Sequence, residues 1–434
     1  MMVEASHQVV STPVFEGATR RAKAGNGLIA ALDAGSTKVS CFIAHADPVG
    51  GLTLKGMGHQ VSRGVTAGAI VDMEAAEASI VAAVHAAEEM AGETVREVFL
   101  NLSAGRPASQ TVGVEVALAG HEVGERDLER VLGESRSAVR ADDRAVIHAL
   151  PLEYSIDGNR GIRDPRGMVG GRLGVDAHIV TAAEAPVRNL STCVARCHLD
   201  VAACVVSPYA AGLACLVPDE MDLGVTLVEM GGGTTGIAVF RDGDCVFTDM
   251  VALGGVHITQ DVARTLSTPA AHAERMKSLF GSAVAGPGDE REMIEVPPVG
   301  EGEPAAGNHV PRSVLVDIIR PRVEETFELV RSRLEAGGFH MPNGGRVVLA
   351  GGASQLNGIR EVAGRILGKQ VRMGQPIHVK GLAEATGGPA YAACAGLLAY
   401  AMHQHSEVSL KAWAKAERSR ARFGRLGQWL REHF

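Results

Sequence analysis

No run of about 18 consecutive apolar residues occurs in the 434-residue chain, so no segment reads as a membrane-spanning helix. Basic residues do not predominate either. With 42 Lys and Arg against 50 Asp and Glu the formal net charge is −8, which excludes a general nucleic-acid binder, because such proteins need basic surface to neutralise phosphates. Any basic function must be local. Paired cysteines are also missing: the seven present (Cys41, Cys193, Cys197, Cys204, Cys215, Cys245, Cys394) are odd in number, form no CxxC and lie on mostly apolar segments. They are expected to be reduced core residues of a cytosolic protein. The one tight group, in "STCVARCHLDVAACVV", can be argued as a metal site but reads better as a helix feeding a strand. The front, Met1 to Gly27, lacks the apolar core of a secretory signal and is expected to be a flexible tail.

What is present is core-forming material: 46% of residues are hydrophobic, and the length favours two or more domains. Strand and helix patterns alternate. "GLIAALDAG", "TKVSCFIA" and Leu52 to Gly58 read as a three-stranded meander. In "DMEAAEASIVAAVHAAEEMAG", Asp72 is a candidate N-cap, Ile80, Val84 and Ala87 share a face, and Gly92 stands past the end. The strand "REVFLNLS" follows. The same order returns from Val225, through "GVTLVEM", "TGIAVFRDG" and "CVFTDMVALGG" to a helix expected to begin near Thr259, and later the strand "GRVVLAGGA". Between them, Val284 to Arg312 is rich in Pro, Gly and Glu and reads as a long surface excursion.

"LIAALDAGSTKVSCFI" and "GVTLVEMGGGTTGIAVF" share one plan: apolar strand, acidic residue (Asp33, Glu229), glycine-rich turn with hydroxyls, second apolar strand. One such hairpin is compatible with a plain tight turn. Two in one chain point to duplicated halves. Glycine turns leave backbone N–H groups uncovered, so Gly35 with Ser36, Thr37 and Lys38, and Gly231, Gly232 and Gly233 with Thr234 and Thr235, suit a polyphosphate gripped from both sides. Asp33 and Glu229 stand where Mg²⁺ bound to phosphates takes oxygen ligands through water. A third glycine cluster, Gly351 and Gly352 followed by Ala353 and Ser354, ends a strand and opens a helix, a geometry suited to adenosine or phosphate.

Three glycine-rich strand ends in this order resemble the first-phosphate, second-phosphate and adenosine motifs of the actin-like ATPase superfamily. "CVVSPYAAGLA" and "GLAEATGGPAYAACAGLLAYA" resemble its two connecting helices. Within it, Val146 to Ala182 resembles the segment that the FtsA family of bacterial cell-division proteins carries in place of actin's usual insertion. "TPAAHAERMKSLFG" resembles the stretch whose Glu and Lys, here Glu274 and Lys277, approach the nucleoside. The resemblance implies an α/β, actin-like fold with two related lobes around a nucleotide cleft. It implies subdomain 1A over 28–105 and 183–218 with a return helix over 381–402, 1C over 106–182, 2A over 219–253 and 341–380, and 2B over 254–340. It also implies ATP and Mg²⁺ as cofactors, filaments of the protein with itself, and tethering of the FtsZ ring to the cytoplasmic membrane face at the division site, with recruitment of later division proteins.

Two positions depart from the family's second phosphate motif, which usually has Asp at 229 and often Asp at 236, where this chain has Glu229 and Gly236. Binding is therefore expected to survive better than hydrolysis. A polar linker over 403–417 precedes a C-terminal segment, 418–434, in which Phe423, Leu426, Leu430 and Phe434 recur at helical spacing beside Trp429, with Arg418, Arg422, Arg425 and Arg431 among the polar positions. This is the pattern of a basic amphipathic helix lying in an anionic membrane interface, each basic residue contributing roughly 1 kcal/mol. The resemblance further places the docking site for the FtsZ C-terminal peptide at Arg312, Arg322 and Glu325, a set suited to a carboxylate-bearing peptide. One family arginine upstream falls on Asn308. Two other readings of the same cleft are an actin-fold small-molecule kinase and a pilus-assembly relative. The amphipathic tail counts against both.

Overall fold

A computed structural model describes residues 27–47, 51–139, 143–300, 308–339, 345–384 and 386–402. The expected tail over its first 26 residues, the linker and the C-terminal amphipathic segment lie outside the described residues. None of the described helices is long and apolar enough to cross a membrane.

The two hairpin sequences become the centres of two sheets. In the first, Leu28–Ala34 pairs antiparallel with Lys38–Ala46, which pairs antiparallel with Leu52–Val61, and on its other edge Leu28–Ala34 runs parallel to Glu97–Leu102. In the second, Val225–Met230, Thr235–Arg241 and Asp244–Val251 repeat the antiparallel meander, and Val225–Met230 runs parallel to Arg346–Ala350. Asp33 faces Ser40 across one hairpin and Glu229 faces Gly236 across the other, so the two acidic residues occupy equivalent registers. The central strands are buried along nearly their whole length, as continuous apolar runs covered on both faces require.

The two sheets share one core. Ile29, Phe42 and Leu52 from the first pack with Val225, Leu227 and Phe240 from the second, through Ala210, Ala211, Ala395 and Leu398. Those last residues belong to two helices, Ser207–Cys215 and the segment 392–402, that run between the lobes. Their backbones touch: a Cβ on Gly396 would fall 1.7 Å from the Ala210 carbonyl oxygen.

An inserted unit follows the first meander. Ala108–Ala117, Arg172–Ala183, Arg144–Ile156 and Asn159–Ile162 form a four-stranded sheet in that order. The helix Glu125–Ser137 seals its own small core of Leu118, Val131, Leu173 and Ile179. This unit also reaches the second lobe. The Thr248 N–H donates to Ser109 Oγ at 2.8 Å, the Ser109 hydroxyl donates back to the Thr248 carbonyl at 2.8 Å, and His178 Nε2 stands 3.2 Å from Thr248 Oγ1.

Local expectations fare unevenly. The helix Met73–Ala91 starts where Asp72 accepts from the Ala75 N–H and stops at left-handed Gly92, as its caps predict. The tight cysteine group is the helix Glu184–Arg196 leading to the strand Asp200–Val206. The helix expected near Thr259 begins earlier, at Gly255, because the Gly254 N–H donates to His257 Nδ1 and closes the first turn. The proline-rich excursion contains paired strands, Met293–Val296 and Asn308–Pro311, whose Ile294 and Val296 are buried. Six of the seven cysteines are buried and Cys197 is half-buried.

Candidate nucleotide cleft

Both glycine turns close with the same bond: the Gly35 N–H donates to the Lys38 carbonyl at 3.0 Å, and the Gly231 N–H to the Thr234 carbonyl at 2.8 Å. The turns then meet across the gap between the lobes. A Cβ on Gly232 would fall 2.6 Å from Thr37 Cγ2, and one on Gly233 2.7 Å from Ser36 Oγ. Only glycine permits that approach. The third turn is held against the second hairpin by Gly351, whose φ of +85° favours glycine and whose Cβ would meet the Met230 carbonyl oxygen at 2.3 Å. Together the three turns wall a cleft of about 600 Å³, within the size range of small-molecule and cofactor sites.

One end of this cleft is acidic and buried. Asp33 Oδ1 accepts from Asn101 Nδ2 at 2.6 Å, and Glu229 Oε2 accepts from the Ser207 hydroxyl at 3.1 Å. Burial is the main influence on both carboxyls: it lifts Asp33 above the usual carboxylate range against the pull of Lys38 and Asn101. Glu229 is pushed up to about 7, first by burial and then by the Asp33 charge. Burial likewise lowers the Lys38 ammonium, with Asp33 opposing. Lys38 Nζ donates to the Ala390 carbonyl at 2.9 Å and sits 3.3 Å above the centre of the Tyr391 ring. A cation and two carboxyls held in low dielectric form a site whose charge state responds to a charged ligand.

The other end is polar and organised by one lysine. Lys277 Nζ donates to the Gly255 carbonyl at 3.0 Å, Thr259 Oγ1 at 2.8 Å and Glu274 Oε2 at 2.7 Å. Its hydrogen bond to Lys277 helps hold Glu274 below the usual range in spite of burial, which acts the other way. The helix Ala270–Phe280 thus presents Glu274, Lys277 and Ser278 to the cleft, with Ile258 from the neighbouring helix as an apolar wall.

Comparison with known proteins fits this architecture. A family model for the cell division protein FtsA matches residues 226–396, and a model for the SHS2 domain inserted in FtsA matches residues 104–181. The cell division protein FtsA of Rhizobium meliloti (strain 1021) is 45% identical over 421 residues, covering 94% of this chain and 95% of that protein. This chain belongs to the FtsA family. FtsA of Escherichia coli (strain K12) is 32% identical over 424 residues, covering 94% of this chain and 98% of its own length. Among solved structures, the PilM–PilN type IV pilus biogenesis complex aligns at a TM-score of 0.59 and 18% identity, covering 86% of this chain and 98% of that one. MreB5 of Spiroplasma citri bound to ADP aligns at 0.51 and 14% identity, covering 88% and 98%. The fold is therefore the α/β actin-like ATPase fold, with the FtsA-type inserted domain.

Against that FtsA frame, most of the expected nucleotide residues line the cleft: Asp33, Gly35 to Lys38, Glu229, Gly231 to Thr234, Glu274, Lys277, Gly352 and Ala353. Thr235, Gly351 and Ser354 do not. The Thr235 hydroxyl is buried and donates to the Leu253 carbonyl, and Ser354 Oγ donates to the Gly351 carbonyl, so both brace the turns from behind. Residues unforeseen from sequence, Asn101, Ser207, Gly255, Gln355 and Ala390, also line the cleft. Gly236, the second family departure, packs against Pro208, where a Cβ would fall 2.8 Å from Cδ; a carboxylate there would displace the proline.

The arginines of the expected peptide site make ion pairs and hydrogen bonds within the protein. Arg312 donates to the Phe280 carbonyl and to Asp289 Oδ1, each at 2.8 Å. Arg322 forks onto Asp261 at 2.6 and 3.1 Å and donates to Glu325 at 2.5 Å. They tie the long helix Arg312–Ala336 to its neighbours.

Proposed function

We propose that this FtsA-family protein binds ATP with a divalent cation in the cleft and uses that state to govern its assembly on the cytoplasmic membrane face, where it anchors FtsZ filaments and recruits later division proteins. The observation that carries the reading is the apposition of two equivalent glycine turns, with Lys38 and the carboxyls of Asp33 and Glu229 at their base. Exposed turn N–H groups and Lys38 suit the phosphates, and the Glu274–Lys277 pair suits the nucleoside.

The residues present fit a hydrated cation. No cluster of three or more His, Cys, Asp or Glu stands ready for direct ligation among the described residues, whereas Asp33 and Glu229 both offer acceptor oxygens to the cleft. Mg²⁺ keeps several of its waters, and those waters can only donate. When bound, the ion would neutralise phosphate charge; the protein's part is to hold acceptors around it. Hydrolysis is expected to be slow, because Gly236 brings no carboxylate to orient water, and steady turnover above roughly 1 s⁻¹ would contradict this.

Membrane attachment rests on the sequence of Arg418 to Phe434, with Arg422, Phe423, Arg425, Leu426, Trp429, Leu430, Arg431 and Phe434 as its contact residues. Docking of an FtsZ peptide at Arg312, Arg322 and Glu325 would require its carboxylate to exchange with Asp289 or Asp261. The test is electron microscopy on an anionic lipid monolayer with ATP and Mg²⁺, comparing the full chain with one ending before Arg418. Lipid-bound filaments lost on truncation support the tether. Particles indifferent to lipid in both samples overturn it.

A further inference from the structure

The strand Glu97–Leu102 reads Glu-Val-Phe-Leu-Asn-Leu and is buried from its second residue onward. Asparagine is disfavoured in strands, and a buried amide is costly unless both ends are bonded. Asn101 is nonetheless almost fully buried, at 4% exposure. Its place follows from the ladder: Leu32 pairs with Leu100 across the parallel edge, so the next residues, Asp33 and Asn101, stand side by side at the cleft.

Its two ends are treated differently. Nδ2 donates to Asp33 Oδ1 at 2.6 Å, whereas Oδ1 is buried with no hydrogen-bond partner from the protein. Flipping the amide would set oxygen against carboxylate, so the orientation is fixed by Asp33. Of the neighbouring side-chain donors, Ser207 Oγ is given to Glu229, and Lys38 Nζ, which gives one of its three N–H groups to the Ala390 carbonyl and lies over the Tyr391 ring, makes no hydrogen bond to Asn101 Oδ1. The orphan acceptor therefore awaits a donor from within the cleft. ATP phosphate oxygens only accept at neutral pH, so they cannot serve. Water held by a cation only donates, and it is the species that a wall of acceptors suits.

We propose that Asn101 is a cation-positioning residue: its Oδ1 accepts a hydrogen bond from a water carried by the divalent ion of a bound nucleotide, while its Nδ2 holds Asp33 in line for the same hydration shell. This rests on the nucleotide reading of the cleft and adds to it a third acceptor, supplied by a strand outside both glycine hairpins. Asn101 acts through water and through Asp33, so its signature is the coupling between metal and nucleotide.

The experiment measures binding of a fluorescent ATP analogue to the full chain in EDTA and in Mg²⁺, together with Mn²⁺ titration of the ATP-bound protein followed by the free-Mn²⁺ EPR signal. For Asn101→Ala, the Mg²⁺ enhancement and the Mn²⁺ affinity are expected to fall about tenfold, the worth of one hydrogen bond to a charged centre, and by clearly more than any change of binding in EDTA. Equal loss with and without metal would make Asn101 a structural support and overturn the proposal. No loss in either condition would overturn it too. Wild-type protein that binds no analogue in any condition refutes the nucleotide cleft itself, a result distinct from both. Asn101→Ser, which keeps a small polar group but cannot reach as far, carries the same test if the alanine variant does not fold.

Discussion

Replacing Gly396 with alanine sets two effects of opposite sign against each other. Residues 392–402 are helical, and alanine in a helix interior is favoured over glycine by about 1 kcal/mol. Against this, the new Cβ would lie 1.7 Å from the Ala210 carbonyl oxygen and 2.2 Å from its carbon. Both are backbone atoms that no rotamer change can move, so one helix must retreat by more than an ångström. Ala211, Ala395 and Leu397 are fully buried around the crossing, and retreat opens voids among them. Overpacking costs about 1–3 kcal/mol, and a backbone collision of this depth belongs at the upper end. The net expectation is a loss of about 2 kcal/mol, which for a chain of this length is about 2 °C in Tm. Because the crossing joins the two lobes, affinity for a fluorescent ATP analogue should fall as well. Gly133→Ala is the control: Gly133 lies in the helix Glu125–Ser137 with nothing near a Cβ, and the change should stabilise by up to about 1 kcal/mol. Thermal melts by circular dichroism decide it. A Gly396→Ala protein as stable as wild type would mean that the helices do not cross in contact, and the account of the shared core would fail.

Glu229→Gln tests the buried carboxyl. Its pKa is raised from 4.5 to about 7, so below about pH 4.5 it is protonated folded or unfolded, and stability is lost as pH climbs from about 4.5 to about 7 and levels off above that. In EDTA, the glutamine variant should gain on wild type between pH 5 and pH 8 by up to about 3 kcal/mol in denaturant melts; parallel pH profiles would refute the burial argument. Lys277→Met removes the donor shared by Gly255, Thr259 and Glu274, and affinity for the ATP analogue should drop about tenfold. Unchanged affinity would place the nucleoside elsewhere.

The features legible in sequence were those written in local pattern. Paired glycine turns and the Asp72 and Gly92 caps encode geometry over a few residues, whereas Glu274 and Lys277 came only through the family resemblance of their segment. Features set by distant packing were not. Asn101 was a lone polar residue in an apolar run, and only the parallel pairing of its strand with Leu28–Ala34 brings it beside Asp33. Ala390 contributes a carbonyl, which no side chain announces. Thr235 and Thr234 looked equivalent as hydroxyls, yet adjacent residues at a strand start point opposite ways, one into the cleft and one behind it. The hairpin at Met293–Val296 was hidden by the surrounding prolines and glycines, although its alternation of exposed and buried residues was present.

The bond from Lys38 to the Ala390 carbonyl spans 352 residues, which has a consequence for the protein's synthesis. At roughly 5–20 residues per second, about 20–70 s separate the emergence of the first glycine turn from that of its last partner. The strand Val379–Lys380, which completes the edge of the first sheet beside Leu52–Val61, arrives equally late. Until then the ribosome holds a half-finished cleft with an open β-edge. No nascent chain can take up a nucleotide through the complete cleft, or be committed to a nucleotide-bound state, before almost all of it has been translated.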